Sequence, residues 1–371
     1  MIIKIIKGNI LSNIQGGVFV VIHRAIKPYN DLWLDCVSNN LIAMLIYENE
    51  SFINIPCYMD AVYLKKVLHQ SYSSEDIQGG LVDHGAYFPK IQYSQHLLTH
   101  LIYRISGEQD ILGEKIHTAI KEKLDDGFFV FITVDRFFYP SGVNSKISHM
   151  VHPAFIYGYN DEEGCYHSIE DCITMGKMDY YNIPFTSLDQ SIKYFKELDK
   201  NVDVSYCRVN ESDGSFKHHV ELSQVIKSLE ITLYGGQIYN KNYDLYYHSG
   251  IDALTNYLEE FEYLFFNLKD ENQFKARTLS FCQLHERNRR LTQLISESYG
   301  IDISDIDEIF IQLQRKWESF KNRSYYLLEI KRMNGVNHNH NDLEKLRFLL
   351  ESIIELERSA AESLLLLCKK S

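Results

Sequence analysis

Three residues with side chains suited to thiol catalysis lie in the first half of the chain, and Cys36 is the first of them. It follows Asp35 and precedes the apolar run 41–46, which predicts a buried helix that begins at Cys36. The free N–H groups and the positive dipole end of such a first turn favour a thiolate over a thiol. Cys36 is therefore predicted to be a nucleophile.

The proton acceptor and its partner are expected near one end of a predicted hairpin. His152 precedes an apolar strand at 154–159, and a second strand at 166–169 ends at Glu170 and Asp171. In this arrangement Cys36 attacks a carbonyl, His152 moves protons and Asp171 orients the imidazole. Glu170 remains an alternative to Asp171, because strand alternation sends the two side chains to opposite faces.

A longer motif surrounds these residues and resembles a known family. The run Asp135-Arg136-Phe137-Phe138-Tyr139-Pro140 ends a strand and is followed by His149 and His152. Together with the Asp-Cys pair and the Gly-Tyr-Asn turn, it resembles the peptidase domain that trims double-glycine leaders of bacteriocins. It is still more similar to the family of the N-terminal domain of butirosin biosynthesis protein H. The resemblance covers residues 15–240.

The resemblance implies a papain-like α+β fold with an N-terminal nucleophile helix and an antiparallel sheet. It also implies a cysteine acyltransferase of antibiotic or nonribosomal-peptide biosynthesis. Such an enzyme takes an acyl or aminoacyl group from the phosphopantetheine thioester of an acyl or peptidyl carrier protein and places it on an amine, either a small molecule or a peptide. It binds no cofactor of its own.

Several further candidates and alternatives accompany this interpretation. Asn30 stands where papain-like enzymes carry an oxyanion donor, His149 is a second candidate base, and Asp135 is a further candidate acid. A cysteine hydrolase (thioesterase or peptidase) and a catalytically silent binding module are alternative functions on the same scaffold. A zinc site is a weaker alternative, with ligands drawn from His149, His152, Cys165, His167 and Cys172.

Composition excludes some functions and places conditions on others. Seven scattered cysteines and the lack of 18 successive uncharged apolar residues predict a reduced, cytoplasmic protein without a membrane span. The net charge of −12 argues against nucleic-acid binding, and no phosphate-cradling glycine motif is present. An acidic carrier protein would then need a local basic patch, for which the candidates are Arg287, Arg289, Arg290, Arg315 and Lys316.

The pattern of the chain predicts two domains, at 1–240 and 250–371. The first mixes strands with helices and corresponds to the α+β catalytic domain; the second shows apolar residues at helical spacing and is predicted to be an all-α bundle. The apolar stripes of that bundle form its core or a subunit interface, so a homodimer through the helical domain is one expectation. The predicted elements are helices at 36–47, 111–124, 187–198, 251–268, 279–299, 305–333 and 342–369, and strands at 128–134, 154–159, 166–169 and 203–208.

Overall fold

The computed structural model of the chain confirms a mixed α+β protein with antiparallel sheets and a helical C-terminal region. It describes residues 2–6, 9–13, 21–67, 87–107, 115–210, 220–240, 245–266, 282–334 and 340–370. The sequence also predicts a polar break at 210–214 and a turn at 334–341, and both lie largely outside this set. Residues fall into two compact units, 1–53 with 95–217 and 54–94 with 218–371. The predicted boundary at 240–250 therefore lies inside the second unit.

Strands of the structure follow one another in chain order as β1 to β13. They are β1 Ile2–Ile6, β2 Asn9–Asn13, β3 Val21–Ile22, β4 Ala61–Lys66, β5 Lys90–Tyr93, β6 Ile102–Ser106, β7 Phe129–Asp135, β8 Val151–Asn160, β9 Cys165–Glu170, β10 Asp179–Pro184, β11 Val204–Val209, β12 Gly236–Asn240 and β13 Leu245–Ser249.

Helices are numbered in the same way from α1 to α10. They are α1 Cys36–Glu48, α2 Ile55–Tyr58, α3 His96–Leu101, α4 Lys115–Asp125, α5 Phe185–Glu197, α6 Leu222–Tyr234, α7 Ile251–Phe266, α8 Leu284–Tyr299, α9 Ser304–Asn334 and α10 His340–Lys370, with short 3-10 turns at Glu50–Asn54 and Arg136–Phe138.

The first unit is built on a seven-stranded sheet in the order β10-β9-β8-β7-β11-β6, with β3 beside β8. All of these pairings are antiparallel. In the register of β7 and β8, Val134 lies opposite His152 and Asp135 opposite Val151. Gly158 allows β3 to approach, because a Cβ there would lie 2.1 Å from the carbonyl oxygen of Ile22.

Strand β7 is apolar from Phe129 to Ile132 because helices cover both faces of the sheet beside it. Val130, Ile132 and Val134 join the core formed with α4 and α5. On the opposite face, Tyr47 of α1 meets Phe129 edge to face, with ring centroids 6.0 Å apart. Alternation along the strand assigns successive residues to these two cores. Burial of each aliphatic side chain contributes about 1.5–3 kcal/mol to the stability of the fold. The ends of β7 and β8, which carry the candidate site, are therefore anchored by well-packed strands.

The second unit combines a four-stranded sheet with packed helices. Its strand order is β12-β13-β4-β5, again antiparallel. Helices α9 and α10 pack along each other, and α10 also packs on α6 and α7. The helices predicted after residue 250 are present, although the all-α prediction omitted the sheet beside them. No helix in the described part of the chain is long and apolar enough to span a bilayer.

Candidate functional site

Cys36 is the first residue of α1, as the sequence predicts. Asp35 caps the helix: one carboxylate oxygen accepts a hydrogen bond from the backbone N–H of Ser38 at 2.7 Å and the other from the Ser38 hydroxyl at 2.7 Å. Of the seven cysteines, Cys36 is partly exposed and the other six are buried. It is therefore the best placed of the seven to meet a substrate.

The segment before α1 is held by a single buried amide. The Asn39 side chain donates to the carbonyls of Tyr29 and Leu32, at 3.1 Å and 2.9 Å, and accepts from the N–H of Leu34 at 2.9 Å. These three bonds satisfy backbone groups that would otherwise be buried without partners. They hold the start of α1, and with it Cys36, in one position.

A second amide directs the Cys36 face of α1 toward the end of β9. Asn40 lies four residues after Cys36, so the two share a helix face. Its amide donates to the carbonyl of Ile169 at 3.3 Å, directly before Glu170 and Asp171. The charges of Asp171, Arg136 and Glu170 all act on the Cys36 thiol. The structure therefore brings Cys36 close to the predicted acid residues.

Arg136 organises the other half of the site. Its Nη2 donates to Glu170 Oε2 at 2.5 Å, to Asp171 Oδ1, and to His152 Nε2 at 3.3 Å. Burial alone would lower the pKa of Arg136, but the two carboxylates raise it above the usual arginine value. The guanidinium thus stays charged and draws three groups around one nitrogen.

His152 is buried and neutral in this cluster. Burial, followed by the positive charge of Arg136, lowers its pKa to about 4. Its Nδ1 lies 3.7 Å from Glu170 Oε2, and its Nε2 lies 3.9 Å from Asp171 Oδ1. These separations are longer than hydrogen bonds. The predicted Asp171–imidazole pairing is therefore replaced by a shared contact through Arg136.

The ionisation predicted for Cys36 is wrong. Burial, and then the negative charges of Asp171 and Asp35, raise its pKa to about 12, while Arg136 opposes them. The helix N-terminus was expected to favour the thiolate, but it acts against burial and nearby carboxylates. No hydrogen bond joins Cys36 to His152, both of which the structure describes. At neutral pH the pair is a thiol and an uncharged imidazole.

Glu170 is the more deeply buried of the two acids. Tyr139 donates to its Oε1 at 3.1 Å, and Arg136 binds its Oε2. Burial raises the pKa of Glu170, although Arg136 counteracts this. The two adjacent carboxylates are thus both in the cluster, where the sequence offered them as alternatives.

A metal ion has a competitor in this cluster. Ligand atoms of His152, Glu170 and Asp171 lie within 4.8 Å of one another, close enough to bind one cation. Arg136 Nη2 contacts all three, so the guanidinium takes the place of that cation. Two other ligands of the predicted zinc set lie elsewhere: His167 pairs with Asn182, and Cys165 contacts Glu163.

The remaining predicted residues lie outside the Arg136 cluster. Asn30 pairs with the backbone of Met178, donating to its carbonyl at 2.9 Å and accepting from its N–H at 2.8 Å. This pairing commits the amide to Met178, so the oxyanion role has no support in the geometry. His149 pairs with Asp135 rather than with the cluster, its Nδ1 lying 2.6 Å from Asp135 Oδ2.

Arg136 is the site residue that sequence reasoning missed. It stood in the quoted motif, one residue after the strand end, but nothing assigned it a role. A signal was available in the sequence. Arg136 is followed by the aromatic residues Phe137, Phe138 and Tyr139, and such apolar neighbours indicate a buried charge rather than a solvated one. A buried arginine needs acceptors such as carboxylates, and Glu170 and Asp171 were candidates that the sequence had already singled out.

Two of the five residues predicted to form a basic docking patch are already engaged within the protein. Arg287 is buried, and it donates to the carbonyls of Pro56, Cys57 and Met59. Arg289 binds Asp307 through two nitrogens, at 2.6 Å and 2.9 Å. A partner protein cannot contact the buried Arg287, and Asp307 neutralises the charge of Arg289. These two arginines therefore do not present free positive charge at the surface.

Comparison with known proteins gives no match: no known protein family matches the chain, and no curated protein matches it.

Proposed function

We propose that the chain is a cysteine acyltransferase with a papain-like first unit. One observation carries the proposal: Cys36, the accessible thiol at a helix start, faces a buried cluster of an imidazole, a guanidinium and two carboxylates. A nucleophile helix followed by an antiparallel sheet that bears His152 on one strand and acids at the end of the next agrees with the family resemblance. These parts suit acyl transfer through a thioester intermediate.

The first half-reaction transfers the acyl group to Cys36. The sulfur attacks the thioester carbonyl as its proton passes to His152, and the donor thiol leaves with that proton. Burial and the charge of Arg136 disfavour the imidazolium, whereas the negative charge of Asp171 favours it, so His152 holds the proton only until the donor thiol leaves. General-base assistance of this kind contributes roughly 10²–10⁴-fold.

The second half-reaction returns the enzyme to its starting state. An amine attacks the acyl carbon, the C–N bond forms, and the C–S bond to Cys36 breaks. The donor proposed from the resemblance is a phosphopantetheine thioester of an acyl or peptidyl carrier protein. Because Arg287 and Arg289 do not form the expected docking patch, a small thioester that needs no docking is the better first substrate.

A silent binding module is the second candidate, and one observation favours it. The raised pKa of Cys36 and the lowered pKa of His152 leave both groups uncharged at neutral pH. Papain-type catalysis uses the opposite, ionised pair. An enzyme built on this site must therefore transfer the proton during attack, whereas a module would not transfer it at all.

Intact-mass analysis with an octanoyl N-acetylcysteamine thioester separates these functions. The proposal expects one octanoyl group on the wild type, none on Cys36→Ser, and a normal adduct on Cys368→Ser, a control in the second unit. A persistent adduct that an amine discharges supports transfer. Rapid release of free octanoic acid would instead indicate a thioesterase, and the absence of any adduct would indicate the binding module.

A further inference from the structure

A second histidine–carboxylate pair lies beside the Arg136 cluster. Asp135 is fully buried, and its Oδ1 accepts hydrogen bonds from the backbone N–H groups of Phe137 and Met150, each at 3.0 Å. Its Oδ2 lies 2.6 Å from Nδ1 of His149. Since the carboxylate accepts on this side, Nδ1 of His149 carries the proton and Nε2 keeps a lone pair.

Two aromatic rings hold the imidazole of His149 in place. Phe137 and Tyr194 stack on its two faces, each with a centroid distance of 4.3 Å and with interplanar angles of 20° and 11°. The His149 side chain is nevertheless 43 % exposed. With both faces covered by stacked rings and Nδ1 bound to Asp135, Nε2 is the ring nitrogen left for a ligand. The lone pair is therefore presented in a fixed direction.

This pair lies at the same end of the sheet as the Arg136 cluster. Asp135 and Arg136 are consecutive, and they serve different imidazoles: Asp135 binds His149, and Arg136 binds His152. Asp135 is also opposite Val151, the neighbour of His152, in the β7–β8 register. One imidazole is thus buried against a guanidinium, and the other is open to an incoming molecule.

The second half-reaction needs such an open base. An alkyl amine has a pKa near that of lysine, about 10.4, and a nitrogen that attacks an acyl carbon must lose a proton. His152 is buried and is already the base proposed for the Cys36 thiol, so an amine that arrives from solvent needs a more exposed one.

We propose that His149, oriented by Asp135, is the general base for the amine acceptor; this rests on the proposed function. The ammonium form of the acceptor gives one proton to Nε2 of His149, which passes it to water. The neutral nitrogen attacks, the C–N bond forms, the C–S bond breaks and the second nitrogen proton goes to the departing Cys36 sulfur, so that an amide and free enzyme result.

The surroundings of His149 indicate the class of acceptor. Ile147 and Val151, two residues to either side, are 77 % and 52 % exposed, and Val143 of the same loop is 41 % exposed. One charged group of the same loop is Lys146, whose Nζ lies 5.5 Å from the Phe137 ring centroid. Exposed apolar side chains in one short segment favour a ligand with an apolar body. The acceptor is accordingly a primary amine on an aliphatic or aromatic group rather than on a sugar.

The test measures the two half-reactions separately, with octanoyl N-acetylcysteamine thioester as donor and 2-phenylethylamine as acceptor. In His149→Gln and Asp135→Asn, Cys36 should be acylated at the wild-type rate, while discharge by phenylethylamine falls about 10²-fold. Asp135→Asn keeps an acceptor oxygen for the backbone but no longer holds the proton on Nδ1. Hydroxylamine, which is unprotonated at neutral pH, should discharge the variants with a much smaller loss, and added imidazole should restore part of the rate of His149→Gln.

Three results would overturn the inference. Wild-type discharge by phenylethylamine in both variants would remove His149 as the base. An equal loss in acylation and discharge would show that the pair only supports the fold. A wild type that forms no adduct at all would overturn the proposed function together with this inference, and that outcome is recognised before any variant is examined.

Discussion

Two buried carboxylates, one in each unit, show what distinguishes a reactive cluster from a structural one. Glu357 in α10 receives hydrogen bonds from the Tyr63 hydroxyl and the Trp317 indole N–H, both at 2.8 Å and both on Oε1. Glu170 receives the Tyr139 hydroxyl and the charged Arg136. Burial raises the pKa of both acids. One is held by neutral donors, and the other belongs to a set of charges.

The difference extends to the neighbouring groups. Around Glu357 the two donors join β4 and α9 to α10, which is a purely structural task. In the Arg136 cluster, Nε of Arg136 and Nδ1 of His152 have no hydrogen-bond partner among the described residues. Buried polar atoms left unpaired are expensive, and they persist where a function requires them. The cluster is therefore poised for a ligand or proton in a way that the Glu357 site is not.

The largest expected effect is the loss of Arg136. Arg136→Met leaves two buried carboxylates without their cation, which should destabilise the fold by about 3–5 kcal/mol at pH 7. The folded-state pKa of Glu170 then rises further, so stability is lost as pH rises through that value and is regained on acidification. Urea unfolding at pH 5 and pH 7 checks both points. Arg289→Met, in a partly exposed ion pair, is the matched control and should cost about 0–1 kcal/mol. An equal loss of unfolding free energy in Arg136→Met and Arg289→Met would show that the buried cluster does not depend on its cation more than a surface ion pair does.

Glu357 should behave in the opposite way. Glu357→Gln keeps an oxygen for Tyr63 and Trp317 and removes a buried charge, so it should raise the urea midpoint at pH 7. The pKa of Glu357 is raised in the folded state, so its ionisation costs stability as pH increases, and the gain should vanish near pH 4. Glu357→Leu should cost about 1–3 kcal/mol for each donor left unpaired. A destabilised Gln variant at pH 7 would mean that the charge itself is required.

The smallest effect concerns the reactivity of Cys36. Iodoacetamide should modify Cys36 before the six buried cysteines, but its rate should keep rising between pH 7 and pH 10, because the thiol pKa is about 12. Asp171→Asn removes the largest opposing charge, so it should speed alkylation several-fold at pH 9, since one pKa unit is a tenfold change in thiolate. The same variant should slow acylation by the thioester. A rate plateau near pH 7 would instead indicate a Cys36 thiolate paired with a His152 imidazolium, as the sequence predicts.

The sequence predicts the elements of the site well. Helix α1 begins at the predicted residue, and β7, β8 and β9 lie within three residues of their predicted bounds. Local periodicity and capping carry that information. The ionisation of Cys36 was not predictable in the same way, because it depends on burial and on Asp171, a residue far away in the chain.

Long-range pairing also explains what was missed in the second unit. The strand β4 joins β13 through pairs such as Lys66 with Tyr247, so residues 54–94 belong with the C-terminal helices. Lys65, in the same strand, is buried and paired with Glu260 at 2.5 Å. Lysine is usually exposed, so Lys65 does not contribute to a hydrophobic pattern in the sequence. For that reason the sequence did not predict this buried strand.

Peptide mapping of the protein after exposure to the octanoyl thioester tests the central claim most directly. The proposal predicts a hydroxylamine-labile octanoyl group on the peptide that contains Cys36, and none on the peptides of the other six cysteines. The label should be lost in Cys36→Ser and greatly reduced in His152→Ala. Labelling spread over several cysteines, or an unmodified Cys36 in protein that is otherwise folded, would contradict a nucleophilic role for this residue.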